Sequence, residues 1–202
     1  PSTLIFDDFV RVYFSCRPPP DKNGQYTSYS AFVDLDRFNL KKIIGVAKKP
    51  ILDLGALGSF DEFGTYPVSV IADGKIIRAY YAGWTRCESV PFNVAIGAAY
   101  SNDGGVSFKK FGDGPVLNHS QNEPFVISGP KIRRFDDQWY LFYIAGRKWK
   151  ISNGRAEPVY KIRMATSDDG IRWNKLDRDL LQSRVEDDEA QASPDVFFAN
   201  GV

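Results

Sequence analysis

Acidic residues recur a few positions ahead of three prolines in this sequence. Glu62 and Glu189 each lie five residues before a proline, and Glu123 lies seven residues before one. Asp61 and the pair Asp187-Asp188 stand beside two of these glutamates. Carboxyl groups can transfer protons, and two that face each other can cleave a glycosidic bond. If the three glutamates occupy one position of a structural repeat, they converge on a common site.

A second set of residues supplies aromatic rings and guanidinium groups. Its members are Trp84, Arg86, Arg147, Trp149 and Tyr160. Aromatic faces suit sugar rings, and Arg86 and Arg147 could hold a carboxylate, phosphate or sulfate on a sugar. With the acids, these residue types are typical of a carbohydrate site. The alternative is that the acids and arginines pair with each other as salt bridges between structural units.

An internal repeat indicates how these residues are positioned. Pro1, Pro67, Pro130 and Pro194 are separated by 66, 63 and 64 residues. Each of the first three prolines begins a short strand pattern, followed by an acidic turn, a long aromatic strand and a third strand. A fourth strand is predicted to end near KPILD, GPVLN and RDLLQ. Each unit therefore reads as a four-stranded antiparallel meander.

Repeated four-stranded meanders are typical of a β-propeller, whose sheets pack face to face around an axis. We predict an all-β fold with blades at 1–66, 67–129 and 130–193, and the start of a further blade at 194–202, with a turn at Asn200-Gly201. The chain is thus expected to be a single partial propeller domain of about three and a quarter blades. A larger protein or a partner would complete the ring. The alternative fold is a β-sandwich with fortuitous repeats.

Two turns resemble the Asp-box motif of sialidases and other propellers. They are SNDGGVSF, from Ser101 to Phe108, and SDDGIRW, from Ser167 to Trp173. In that motif an aspartate holds a hairpin turn through local hydrogen bonds, and the aromatic residue packs between sheets. The strand directions place these turns at the mouth opposite the recurring acids. We therefore expect a structural role for them.

Composition narrows the range of partners. Lys plus Arg minus Asp plus Glu is 26 − 25 = +1, so no overall charge favours nucleic acid or a membrane surface. The two cysteines, Cys16 and Cys87, lack CxxC spacing, and His119 is the single histidine, so neither a zinc site nor a disulfide framework is expected. We predict free thiols, a cytoplasmic location, a carbohydrate ligand and no cofactor, and leave the oligomeric state open.

The repeats resemble the five-bladed β-propeller superfamily of glycoside hydrolases and phosphorylases, which includes arabinanases, invertases and mannoside phosphorylases. The chain is also similar, over essentially its whole length, to an uncharacterised branch associated with polysaccharide assembly. The segments that carry this similarity are FDEFGTYPVSVI, YYAGWTR, PFNVAIGAAYSNDGG, EPFVISGPKI and EPVYKIRMATSDDGIRW. The resemblance implies five blades in the complete ring and a glycosidase-like activity.

The resemblance implies hydrolysis by two carboxyl groups. We expect Glu123 to be the general acid, because Pro124 and the apolar residues after it would remove water from the carboxyl group. Glu62 would be the base or nucleophile, with Asp61 orienting it, and Glu189 would bind hydroxyl groups or tune the pair. No residue is predicted as a metal ligand.

The chain departs from the superfamily at the usual catalytic positions. Its hydrolases place an aspartate directly before the proline of the first strand, where this chain has Tyr66, Gly129 and Ser193. The invertase type places an acid at the position of Ala192. The alternatives are therefore a propeller that binds a glycan without cleaving it, or one that binds another protein through an apolar outer patch.

Overall fold

Twelve β-strands form three four-stranded antiparallel sheets in the computed structural model, which describes residues 1–186 and 188–199. The first sheet contains β1 (Ser2–Ile5), β2 (Phe9–Cys16), β3 (Tyr29–Asp36) and β4 (Ile43–Val46). The second contains β5 (Gly64–Asp73), β6 (Ile76–Arg86), β7 (Phe92–Ser101) and β8 (Lys109–Lys110). The third contains β9 (Ile127–Phe135), β10 (Gln138–Ser152), β11 (Arg155–Ser167) and β12 (Asn174–Lys175).

Each sheet is a meander whose strands lie side by side in chain order. This order confirms the predicted all-β fold of consecutive four-stranded blades, of which about three are present. Three separate sheets in succession also exclude the two-layer sandwich. Over the described part of the chain, no helix is long and apolar enough to cross a membrane.

The first strand of a blade starts before the proline that marks the repeat. β5 begins at Gly64 and β9 at Ile127, three residues ahead of Pro67 and Pro130 respectively. The ladder between first and second strands shifts register where each proline lies. A proline has no N–H group to donate, so a strand accommodates it at such an irregularity. The proline therefore marks a bulge and not the start of the strand.

The fourth strands end close to the segments near which they were predicted to end. They are short and precede the segments KPILD, GPVLN and RDLLQ, which form no strand. These segments still lie along the third strands through backbone hydrogen bonds. The bonds join Ile51 N to Ser30 O (2.9 Å), Leu117 N to Ile96 O (3.1 Å) and Leu180 N to Ile162 O (2.9 Å). The outer edge of each blade is thus held by the third strand more than by a regular ladder.

The third blade carries a long hairpin. β10 and β11 stay paired to Ser152 and Arg155 and are joined by a two-residue turn at Asn153 and Gly154, which have φ of 50° and 75°. Two left-handed residues are what a tight hairpin turn of this length requires. Arg147 and Trp149 therefore lie on β10.

The core lies between successive sheets. One apolar cluster joins the first and second blades and includes Tyr13, Phe32 and Tyr81, and a second joins the second and third blades and includes Tyr80 and Trp139. A sheet with two apolar faces can bury both only against neighbouring sheets. On the face of the first blade that points away from the second, Ile5, Ile43 and Val46 are exposed. Such a face suits contact with a further blade.

The Asp-box turns have the structural role that was predicted. Asp103 Oδ1 accepts hydrogen bonds from Ser101 Oγ (2.6 Å) and Ser107 N (3.0 Å), and Asp169 holds its own turn in the same way. Phe108 belongs to the first core cluster, and Trp173 packs edge-on against Tyr80 in the second. Each turn thus closes a hairpin and places an aromatic ring between blades.

The blade before each Asp-box also binds the turn directly. Tyr13 Oη donates to Gly105 O (3.0 Å), and Tyr80 Oη donates to Gly170 O (2.8 Å). A Cβ atom on Gly105 would lie 2.1 Å from Tyr13 Oη, and Gly105 has a φ of 81°, so this position needs glycine on both counts. These bonds join successive sheets at the mouth opposite the recurring acids.

The segment 194–199, where a further blade was expected to start, has no strand. It lies against the third blade, because Arg133 Nη2 donates to Asp195 Oδ1 (2.6 Å) and Lys131 pairs with the same carboxylate (3.1 Å). The first strand of a blade forms its backbone hydrogen bonds with the second strand of the same blade. The predicted turn at Asn200-Gly201 lies outside the described residues, so the further blade stays a prediction.

The Asp103 carboxylate should give the protein a stability term that disappears in acid. Burial alone would raise its pKa, but hydrogen bonds from Ser101, Ser107 and Val106 outweigh this and lower the pKa from 3.8 to about 2. A carboxyl group with a depressed pKa stabilises the folded state fully above its usual pKa, and this stabilisation is lost as the pH falls through the depressed value. Denaturant titrations should show Asp103→Asn less stable than the parent at pH 6, with the difference shrinking between about pH 4 and pH 2.

The control is Asp8→Asn, since Asp8 is exposed and its carboxylate accepts no hydrogen bond within the described part of the chain. A difference between Asp103→Asn and the parent that stayed constant down to pH 2 would contradict the prediction.

Candidate functional site

A cavity of about 610 Å³ opens at the mouth where the first strands begin. The segment between β2 and β3, the start of β5, the end of β6, the start of β7 and Ser128 of β9 line it, so all three blades contribute. Its side chains of functional interest are Arg17, Gln25, Tyr26, Ser28, Tyr66, Trp84, Arg86, Phe92 and Ser128. The cavity is mixed in character, with aromatic walls and polar groups at defined positions, as ligand sites commonly are.

Trp84 owes its position to a glycine on the neighbouring strand. Its indole lies across Gly64 of β5, where a Cβ atom would come within 1.7 Å of Trp84 Nε1. Gly64 also forms a bridge to Ser28, which brings the first blade against the second at the cavity floor. Trp84 and Phe92 pack in one apolar cluster with Trp149, whose ring meets Phe92 edge-on at 5.5 Å. Trp149 thus supports the cavity without lining it.

Two guanidinium groups line the cavity. Arg86 donates from Nη1 to Gln25 Oε1 and from Nη2 to Tyr26 O (2.9 Å), and its guanidinium lies 3.9 Å from the centre of the Phe63 ring. Arg17 donates from Nε and Nη2 to Ser28 Oγ (3.2 and 3.1 Å). The sequence predicted Arg86 and Trp84 as ligand-binding residues, and the structure brings these two together.

Arg17, Tyr26 and Phe92 were missed as site residues. The position of Arg17 in its repeat could have identified it, because Arg17 directly follows β2 as Arg86 ends β6. Nothing in the sequence points to Tyr26, since the bond from Arg86 to its carbonyl group joins residues 60 positions apart.

Asp61 and Glu123 occupy equivalent positions in two buried ion clusters. Asp61 accepts a hydrogen bond from Tyr81 Oη (2.8 Å) and pairs with Lys110 Nζ (2.6 Å). Glu123 accepts a hydrogen bond from Tyr143 Oη (2.8 Å) and contacts Lys175 Nζ. Each acid precedes its tyrosine by 20 residues, and each lysine belongs to the fourth strand of the blade. The recurrence of acids therefore reflects a requirement of the blade.

Glu123 is the more enclosed of the two acids. Its side chain is 0% exposed, and Arg163 Nη1 donates to Oε1 at 3.0 Å. Burial, together with the nearby carboxylate, raises the pKa of both tyrosine hydroxyls, at Tyr81 and Tyr143, so both remain neutral donors. In this position Glu123 contacts no solvent and no ligand. Its general-acid role stays a prediction that this geometry does not favour.

Glu62 and Glu189 share a different local role. Glu62 accepts a hydrogen bond from Gly58 N (2.9 Å), and Glu189 accepts bonds from the N–H groups of Arg184 (2.9 Å) and Val185 (3.0 Å). These backbone donors lower the pKa of Glu189. Both side chains hold the turn that precedes them. Asp188 pairs with Lys148, and Asp187 lies outside the described residues.

The other predicted residues also lie away from the cavity. Arg147 is exposed and donates to Asn122 O (3.4 Å), and Tyr160 lies on β11 with its carbonyl group bonded to Gln191 N (2.9 Å). No carboxylate of residues 1–186 or 188–199 lines the 610 Å³ cavity. The structure therefore gathers the predicted aromatic and cationic groups Trp84 and Arg86, but not the predicted acids.

Over the same described ranges, no group of three or more His, Cys, Asp or Glu side chains could hold a metal ion. Cys16 and Cys87 are both free, and Cys87 lies at the cavity.

No protein-family model matches the chain. Two curated relatives, Uncharacterized protein MT1551 and Uncharacterized protein Rv1502, come from two strains of Mycobacterium tuberculosis, and each is 32% identical over 198 residues. The alignment covers 98% of this chain and 64% of each relative, so the chain spans less than two thirds of their length.

Several solved structures share the fold. A mutant of the Bombyx mori GH32 β-fructofuranosidase BmSUC1 in complex with sucrose matches with a TM-score of 0.68 and 19% identity, over 99% of this chain and 38% of the enzyme. A protein described as a glycoside hydrolase matches at 0.70 and 15%, over 98% and 58%. Zg3597, a family 117 glycoside hydrolase of Zobellia galactanivorans, matches at 0.64 and 16%, over 98% and 50%.

These similarities confirm, at the level of the fold, the resemblance to the propeller glycoside hydrolases. The chain has an all-β fold of consecutive propeller blades. At such low identity the similarity shows the fold alone.

Glu123→Gln should destabilise the protein strongly. The substitution removes the negative charge between Arg163 and Lys175, and a buried ion cluster that loses one member costs about 3 kcal/mol or more. Urea unfolding measures the loss, with Glu157→Gln as the matched control because Glu157 is exposed. If Glu123→Gln unfolded at the same denaturant concentration as the parent, the structural role of Glu123 would be wrong.

Proposed function

We propose that this chain forms part of a carbohydrate-binding site in a glycosidase-like propeller protein. The observation that carries the proposal is the 610 Å³ cavity with Trp84, Phe92 and Tyr26 in its wall. Aromatic faces at the edge of a polar cavity bind sugar rings by burying their C–H groups. Ser28, Gln25 and Ser128 supply hydrogen-bonding groups of the kind that sugar hydroxyls need.

The position of the cavity supports the same ligand class. It opens at the mouth where β5 and β9 begin, and the segment between β2 and β3 of the first blade completes its wall. One solved structure with this fold is an enzyme in complex with sucrose. We assign the cavity of this chain as its sugar site because of the residues that line it.

Hydrolysis of the bound glycan is the second candidate function, and the similarity in fold to glycoside hydrolases favours it. It needs two carboxyl groups that face the scissile bond. Glu62 would act as base or nucleophile with Asp61 orienting it, Glu123 as general acid and Glu189 as a group that binds hydroxyls. Because Asp61 and Glu123 are buried in ion clusters, the geometry of this chain favours binding over cleavage.

Trp84→Ala should weaken glycan binding at least about tenfold, since stacked or packed aromatic rings contribute on the order of 1 kcal/mol or more beyond their buried area. Binding is measured on a glycan array and by calorimetry on the members that bind. Tyr26→Ala is a second variant with less risk to the fold, because Tyr26 is 44% exposed.

Phe38→Ala is the matched control for these variants, since Phe38 is an exposed aromatic residue in the turn between β3 and β4, outside the cavity. Parental affinity in both Trp84→Ala and Tyr26→Ala would contradict the proposed site. Release of sugar from a bound glycan, lost in Glu62→Gln, would establish the second candidate.

A further inference from the structure

We propose that the sugar bound in this cavity carries an oxyanion substituent and that Arg17 and Arg86 both bind this substituent. The inference rests on the proposed carbohydrate site and names the class of its ligand. The substituent is a carboxylate, sulfate or phosphate, which share the oxygen geometry that guanidinium groups bind. Arg17 thereby replaces Arg147 as the second cationic group of the site.

The two arginines of the cavity form hydrogen bonds only to neutral partners. Arg11, Arg78 and Arg163 each form an ion pair with a carboxylate. Arg17 and Arg86, in contrast, form no ion pair with any residue in the described ranges. Their hydrogen bonds go to the Ser28 hydroxyl, the Gln25 side-chain carbonyl and the Tyr26 main-chain carbonyl. Two positive charges at one cavity therefore remain without a countercharge.

Both guanidinium groups keep donors for a ligand. Each has five N–H bonds, of which Arg17 directs those at Nε and Nη2 to Ser28, while Arg86 uses one each at Nη1 and Nη2. The existing bonds fix the planes of both groups. The Phe63 ring lies beneath the Arg86 guanidinium at 3.9 Å, and the Tyr26 ring lies 5.6 Å from that of Arg17. Such preorganisation lowers the entropic cost of binding an anion.

The carboxylate of Asp21 lies near the cavity but does not neutralise the positive charge of its two arginines. Asp21 lies in the turn before Gln25, where Asn23 N and Gln25 N donate to its Oδ1 (2.8 and 2.9 Å). The hydrogen bond from Gln25 N lowers the pKa of Asp21, and the charge of Arg86 lowers it further. The Asp21 side chain is fully exposed. No ion pair joins Asp21 to Arg86. Water screens so exposed a charge, so the guanidinium groups retain most of their attraction for a ligand.

The aromatic residues of the cavity offer a surface for the sugar ring that carries the anionic group. Trp84 and Phe92 lie in the same cavity as the two arginines and offer apolar surface beside the charges. A free inorganic anion would use only the arginines. An acidic sugar uses both surfaces, so it should bind more tightly than either a neutral sugar or an inorganic anion.

The test compares matched pairs of oligosaccharides by calorimetry on the full-length protein. Each acidic member is paired with its neutral form: an oligouronate with its carboxyl-reduced form, a sulfated oligosaccharide with its desulfated form, and a phosphorylated one with its dephosphorylated form. We expect at least one acidic member to bind about tenfold more tightly than its partner, the range for charge-assisted hydrogen bonds. The preference should fall as ionic strength rises.

Arg17→Ala and Arg86→Ala should each remove most of this preference, measured in each variant as the ratio of its affinities for the acidic and the neutral member of a pair. Arg86→Lys keeps the charge but loses the planar fork, so it should retain only part of the preference. Arg155→Ala is the control, since Arg155 is exposed at the start of β11 and does not line the cavity. Melting temperatures of all variants detect loss of folding.

The outcomes separate this inference from the proposed function. If neutral and acidic sugars bind equally and Trp84→Ala abolishes both, the carbohydrate site stands and the anionic preference is wrong. If inorganic sulfate or phosphate binds as tightly as the acidic sugars, the site is a simple anion site and the inference is also wrong. If no glycan of either kind binds, the proposed function fails and this inference fails with it.

Discussion

The burial of one carboxylate in each connection between blades determines the shape of the mouth. Asp61 is 1% exposed and lies against Gly83 of β6. A Cβ atom added to Gly83 would lie 2.5 Å from the Cβ atom of Asp61. Because the chain is anchored there, the residues that follow are fixed against the end of β6. Phe63 comes two residues later and lies under the Arg86 guanidinium, and the Phe63 N–H group bonds to Trp84 O (3.2 Å). The buried acid thus positions the site without being part of it.

This anchor also explains why the acids recur. An ionised carboxylate is costly to bury unless hydrogen bonds and opposite charges surround it. Asp61 and Glu123 each meet this condition with a tyrosine from the second strand and a lysine from the fourth. The same three parts of the blade supply the same three groups, so the pattern repeats wherever the blade repeats. A site near the axis of a ring is formed once and has no need to repeat. Periodicity in the sequence is therefore better evidence for a structural role than for catalysis.

The order and pairing of the strands could be predicted because the repeat is local and each meander is short. The start of β5 at Gly64 could not, since the bulge at Pro67 allows pairing to continue before the proline. Trp84 and Arg86 could be identified as ligand-binding groups by their residue types at a strand end. Arg17 could have been identified in the same way, because it directly follows β2 as Arg86 ends β6. The contribution of Tyr26 could not, because it depends on the path of the segment between β2 and β3. That path is set by contacts with Gly64 and Arg86, which are distant in sequence.

The charge of the cavity bears on the choice between binding and cleavage. A general acid must hold its proton near neutral pH, and carboxyl groups do so when they are desolvated or lie near another negative charge. Two guanidinium groups act in the opposite direction, because they favour the ionised form of any carboxyl group beside them. A carboxyl group placed between Arg17 and Arg86 would be a poor proton donor. The same two charges are well suited to a permanent anion on a ligand. The electrostatics of this chain therefore oppose acid catalysis at the cavity and favour recognition of an acidic sugar.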